Sequence, residues 1–170
     1  MQHENRARRA LILCCHCLRN LAFYRAGWKH GHIRVARQFW VNANGNFLDT
    51  SVLEWCKLFV EKNGRHHWRT FVSDPDKFYS ALLHELKVTD GEFTEYAKTF
   101  KQYRDRFVAH LDLDAIMHLP QLGKAYESVV LLYDYMIAHE EENNCFHDAP
   151  AGAAHFFNLY LDQAKGIYVA

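Results

Sequence analysis

Apolar residues recur along this chain at spacings of three and four and almost never alternate with polar ones for long. That periodicity belongs to helices. Ala10, Cys14, Cys17, Leu21 and Tyr24 form one stripe and predict a first helix from near Glu4 to Tyr24. Gly27 and Gly31 allow a turn, a shorter helix is expected around Ile33 to Asn42, and Asn44-Gly45-Asn46 has the composition of a breaker. From Asp49 or Thr50 a third helix places Val52, Leu53, Cys56, Phe59 and Val60 on one side. Asp74-Pro75 combines an N-cap carboxylate with proline at the first helical position, opening a helix that buries Phe78, Leu82 and Leu86. Thr89-Asp90-Gly91-Glu92 is a capping box and predicts a helix from about Asp90 to His110. Another begins at Pro120, with Leu122, Tyr126, Val129, Tyr133 and Met136 in strict 4-3-4-3 spacing. Its end, Glu140 to Glu142, is acidic where the helix dipole favours cations, so fraying is expected. Asn143 to Gly152 should be a loop before a last helix from roughly Ala154 to Ile167. The expectation is an all-α, single-domain helical bundle over residues 1–170, with about six to seven helices.

Composition narrows the class. A chain of 170 residues fits one domain, and 49% apolar content argues against disorder. The early apolar run from Ala10 to Cys15 is broken by His16 and Arg19. It falls short of the ~18 residues a membrane helix needs, so neither signal peptide nor membrane anchor is expected. Five cysteines, an odd number with three at 14, 15 and 17, do not resemble a disulfide framework. A reducing, cytoplasmic setting fits them. The net charge is zero, but residues 1–40 carry eight Lys/Arg against a single acid, Glu4. Such a basic end can steer an anionic ligand or meet the acidic remainder of the chain within the fold.

The densest chemistry lies in Tyr103-Arg104-Asp105-Arg106-Phe107-Val108-Ala109-His110. Guanidinium groups offer planar forks of donors to phosphate oxygens, and an imidazole moves protons near neutrality. Phe93, Tyr96, Phe100, Tyr103, Phe107 and His110 are spaced 3, 4, 3, 4 and 3 apart, so His110 ends an aromatic stripe. At about 100° per residue, Arg106 lies about 40° from His110 and Arg104 about 120°. A histidine on such a stripe also fits a core residue satisfied by one hydrogen bond, with Arg-Asp-Arg as a surface ion-pair set.

Arg104-x5-His110, with a polar residue directly after the arginine, resembles the Arg-x(4–6)-His signature of the HEPN superfamily. The likeness extends to Leu21–Trp28, Asp49–Phe59, His66-His67-Trp68 and the Tyr103–Asp112 block, which look like the abortive-infection branch of that superfamily. It spans most of residues 10–135. The resemblance implies a metal-independent endoribonuclease of a bacterial toxin–antitoxin or antiphage system, acting on single-stranded RNA. It also implies a homodimer in which two motifs form one composite site, with part of the aromatic stripe between subunits. An antitoxin protein is a further implied partner. Family spacing selects Arg104, whereas helix geometry favours Arg106 as the neighbour of His110. On this reading His110 transfers the proton, Arg104 stabilises charge on phosphorus, and Asp105 orients either of them. Arg106, Tyr103, Lys101 and His67 are expected to contact RNA. The alternative is a catalytically inactive HEPN-like module that binds a protein or a nucleotide.

No cofactor is expected. Cys14-x-x-Cys17 with His16, together with Cys145-x-His147, has zinc-like gaps, but the first pair falls inside an amphipathic helix, where small buried thiols are the commoner outcome. No metal site is therefore assigned. His66-His67-Trp68 sits in a polar connection, where Trp68 can pin a solvent-facing loop. No phosphate-binding glycine loop and no cysteine nucleophile context is present.

Overall fold

The computed structural model describes residues 2–108, 118–141 and 144–168, and the helices start and stop where local chemistry dictates. α1 (Gln2–Ala26) is the longest and most central. Ala7, Ala10, Leu11, Cys14, Cys17, Leu18 and Leu21 are all buried, a stripe that α2, α5 and α6 cover. A tight antiparallel ribbon follows, β1 (Trp28–Lys29) and β2 (His32–Ile33). His30 and Gly31 at its tip both have positive φ, the signature of a two-residue hairpin turn. Helix periodicity does not foresee this ribbon.

α2 (Gln38–Phe59) corrects the sequence expectation of two helices divided at Asn44-Gly45-Asn46. The helix runs straight through. Asn44 is 2% exposed, its amide donating to the Tyr24 carbonyl at 2.9 Å and accepting from the Trp28 indole at 2.8 Å. Asparagine breaks helices when its side chain competes for local backbone groups, and here that side chain is spent on tertiary contacts. Gly27 permits the approach, because a Cβ there would lie 2.2 Å from the Asn44 amide nitrogen.

α3 (Pro75–Leu86) begins as expected, with the Asp74 carboxylate accepting from the Lys77 amide at 3.0 Å. α4 (Asp90–Tyr103) opens on the full capping box, Glu92 N–H to Thr89 Oγ1 at 3.2 Å and Thr89 N–H to Glu92 Oε2 at 2.7 Å. α5 (Leu122–His139) starts two residues after Pro120, and α6 (Ala153–Ile167) closes the bundle. α5 ends at His139, just before the acidic segment where fraying is expected, and Glu140 is its non-helical C-cap. That residue is 4% exposed, and its carboxylate accepts from both the backbone N–H and the hydroxyl of Ser73 at 2.8 and 2.9 Å. Those tertiary hydrogen bonds hold the first residue past the helix in place.

Trp55 is the hub. It lies 4.2 Å from Phe100 and 5.5 Å from Tyr96 (ring centroids), stacks on Phe59, and donates its indole N–H to Ser128 Oγ at 2.9 Å. α2, α4 and α5 are thereby locked around one all-α core. Among the described residues, no helix is long and apolar enough to cross a membrane.

Candidate functional site

α4 carries the candidate motif to the edge of the core. Phe93, Phe100 and Tyr103 are buried on its inner face, against the Trp55–Phe59 pair. Phe93, Phe100 and Tyr103 thus pack within their own chain, while Tyr96 and Phe107 of the stripe are partly exposed. Beyond Tyr103 the α-helix gives way to a π-helical turn, Arg104–Val108. π turns are rare and cluster at functional sites. The wider turn also removes the basis for ranking Arg106 above Arg104, since 100° per residue describes an α-helix only. His110 itself lies outside the described residues.

Arg104 is held firmly. Its Nε donates to Asp105 Oδ1 at 2.8 Å and its Nη1 to Glu61 Oε1 at 2.9 Å, with Nη2 2.7 Å from Asp105 Oδ1. Partial burial works against the charge, but the Asp105 hydrogen bond and the nearby anions outweigh it and raise the pKa above the usual arginine value. Asp105 therefore orients Arg104, one of the two roles expected of it. Glu61 was not singled out from the sequence. Only the packing of α4 on α2 brings the connection that follows α2 to Arg104, 43 positions away.

Tyr103 is 3% exposed, and its hydroxyl donates to Asp49 at 2.8 Å. Burial and this bond push its pKa well up. The side chain anchors α4 to α2 and is not an open platform for a base.

Two clefts flank the helix. One, about 300 Å³, is lined by Lys62, His67, Trp68, Arg69, Tyr79, Asp90, Phe93, Lys98 and Lys101 among others. The second, about 440 Å³, is lined by Tyr96, Gln102, Tyr103, Arg106, Phe107 and His118 among others. The expected RNA-contacting residues are thus divided, with Lys101 and His67 at the first cleft and Tyr103 and Arg106 at the second. Arg104 and Asp105 line neither. Glu61, the anchor of Arg104, adjoins Val60 and Lys62 of the first cleft in sequence.

His67 is 2% exposed. Its Nδ1 accepts from the Arg69 N–H at 3.3 Å, capping the short 3-10 turn Trp68–Thr70. Burial pushes its pKa down to about 4, against a hydrogen bond to the Phe59 backbone that acts the other way, so the ring is neutral at pH 7. Trp68 is buried and does pin this connection.

Elsewhere, burial raises the thiols of Cys14, Cys15 and Cys17, which sit on α1 as packing groups. Among the described residues, no three His, Cys, Asp or Glu side chains converge as a metal site. The described residues define an all-α bundle with a pinned arginine at a π turn, and residues on either side of it in sequence line two clefts. No protein-family model, curated protein or solved structure matches the chain.

Proposed function

We propose that this chain is a HEPN-like, metal-independent endoribonuclease that cleaves single-stranded RNA through Arg104 and His110. The observation that carries the reading is the placement of Arg104: a guanidinium oriented by two carboxylates, on a π turn whose sequence neighbours Lys101, Tyr103 and Arg106 line two clefts with cationic and aromatic walls. A pre-oriented cation stabilises developing charge without reorganising during the reaction.

In the proposed reaction, a base takes the proton of an RNA 2′-hydroxyl, and the oxygen attacks the adjacent phosphorus. The bond to the 5′-oxygen breaks, leaving a 2′,3′-cyclic phosphate and a 5′-hydroxyl that receives a proton. His110 serves as base or acid, and His110 of a second copy takes the other role across a homodimer axis. Arg104 turns part of its donor fork to the equatorial oxygens of phosphorus, with Asp105 and Glu61 as positioning residues. The biological setting that accompanies this reading is a toxin–antitoxin or antiphage system, with an antitoxin protein as partner.

A second reading, a catalytically silent module that binds a protein or nucleotide, is favoured by the same ion pairs. They account for much of the donor capacity of Arg104 without any substrate. Cleavage of a single-stranded RNA panel in EDTA separates the two. The ribonuclease predicts 2′,3′-cyclic phosphate ends that His110→Ala abolishes while the protein still folds. Absence of cleavage by wild type, or equal cleavage by both proteins, contradicts it.

A further inference from the structure

The first cleft holds a set of charges that the fold does not use. Arg69 lies on its aromatic wall, its guanidinium carbon 4.6 Å from the Trp68 ring centroid and 5.5 Å from that of Tyr79. Those two rings are themselves nearly parallel, 13° apart at 5.6 Å. Stacking fixes the plane of the guanidinium and leaves its N–H edge for an acceptor. Among the described residues, Arg69, Lys62 and Lys101 make no salt bridge, whereas Lys98 pairs with Glu95 at 3.3 Å.

The one carboxylate in the lining, Asp90, accepts from the Tyr79 hydroxyl at 2.6 Å. Burial and that bond push the Tyr79 pKa up to about 12, so the phenol stays a donor to Asp90 and adds no negative charge. His67 is neutral and committed to the 3-10 turn. Three cations, Arg69, Lys62 and Lys101, therefore face a single carboxylate, Asp90, around a cavity of about 300 Å³ walled by Trp68, Tyr79 and Phe93, which leaves the lining with a net positive charge. Asp90 offsets only one of these charges. The complementary ligand is a compact polyvalent anion.

We propose that this cleft binds the phosphate of a nucleotide, with Arg69 as the planar fork and Lys62 and Lys101 as point charges. The inference rests on the RNA reading for its biological sense but not for its chemistry. The phosphate belongs either to one residue of a bound strand or to a free mononucleotide. Lys101 lies one turn before Arg104 on the same helix, and Lys62 follows Glu61 directly. A strand seated here would lead toward the motif.

The test uses the full chain in EDTA, with two probes. One is a fluorescein-labelled 2′-O-methyl decauridylate, which lacks the attacking hydroxyl and stays intact. The other is AMP. Binding is measured by anisotropy and calorimetry across a salt series, for wild type and for a triple variant carrying Lys62→Gln, Arg69→Gln and Lys101→Gln. Loss of three phosphate contacts should reduce the slope of log K against log salt by about two and weaken strand binding roughly tenfold or more. A matched control, Lys29→Gln, Arg34→Gln and Arg37→Gln, changes the net charge equally and should have far less effect. If the triple variant melts early, the Lys62→Gln/Lys101→Gln pair, which disturbs no stacking, should still reduce the slope by about 1.4.

Pocket-dependent binding of AMP without strand binding assigns the site to free nucleotide, and pocket-dependent strand binding assigns it to RNA. Unchanged affinity in the pocket variants, equal weakening in the control, or no binding of either probe by wild type overturns the proposal. Pocket-dependent binding without RNA cleavage would leave this site standing and remove the ribonuclease reading. Cleavage with pocket variants unaffected would do the reverse.

Discussion

At the scale of single residues, tertiary partners reassign roles that local sequence suggests. His67 belongs to a histidine pair with the look of a ligand-binding loop, yet it is a buried, neutral cap. Its pKa falls from 6.5 to about 4 on folding, so below pH 6.5 the unfolded chain binds the extra proton first. Stability from this group is full above 6.5 and is lost progressively as pH drops toward 4. The melting temperature should therefore fall between pH 6.5 and 5 in wild type, and His67→Gln should flatten that part of the profile while lowering its plateau. An unchanged slope in the variant would count against the buried neutral ring. Trp55 shows the complementary case, fully legible as apolar but not as a hub. Trp55→Ala should cost about 3–5 kcal/mol in denaturant unfolding, since it empties the contact of three helices. Arg104 was visible from its spacing to His110. Glu61 was not, because no local pattern links a residue in the connection after α2 to one 43 positions later.

At the scale of elements, caps and stripes were the legible signals. Asp74-Pro75 and the Thr89–Glu92 box mark starts that depend only on neighbouring residues, and both helices begin there. Thr89→Ala should cost about 1 kcal/mol by removing one arm of the box. The continuity of α2 was hidden, because Asn44 satisfies its amide far away in sequence, at Tyr24 and Trp28. Nothing lies within 4 Å of a Cβ built on Gly45. Gly45→Ala should therefore stabilise the protein by about 1 kcal/mol if the helix runs through it, as measured by chemical denaturation. Destabilisation would restore a break at that point. The π turn at Arg104–Val108 was likewise unreadable, since an i to i+5 pattern leaves no mark in apolar spacing.

For the whole molecule, the zero net charge conceals an uneven distribution. Cations also gather beside α4, at the first cleft, and not only in the basic first forty residues. Burying Phe93, Phe100 and Tyr103 against α2 holds the cation-lined first cleft next to the Arg104 anchor at Glu61. The fold was legible as an all-α bundle because helix periodicity runs through nearly the whole chain. The candidate residues were legible only as a motif, and their division between two clefts follows from packing.

The most direct test of the central claim is single-turnover cleavage of a labelled single-stranded RNA in EDTA, with product ends identified. Wild type, Arg104→Ala and His110→Ala would be compared at protein concentrations where all three remain folded. A ribonuclease acting through this pair gives 2′,3′-cyclic phosphate products from wild type, and losses of at least about a hundredfold in both variants. Cleavage that survives in either variant, or no cleavage by wild type at any concentration, would contradict it.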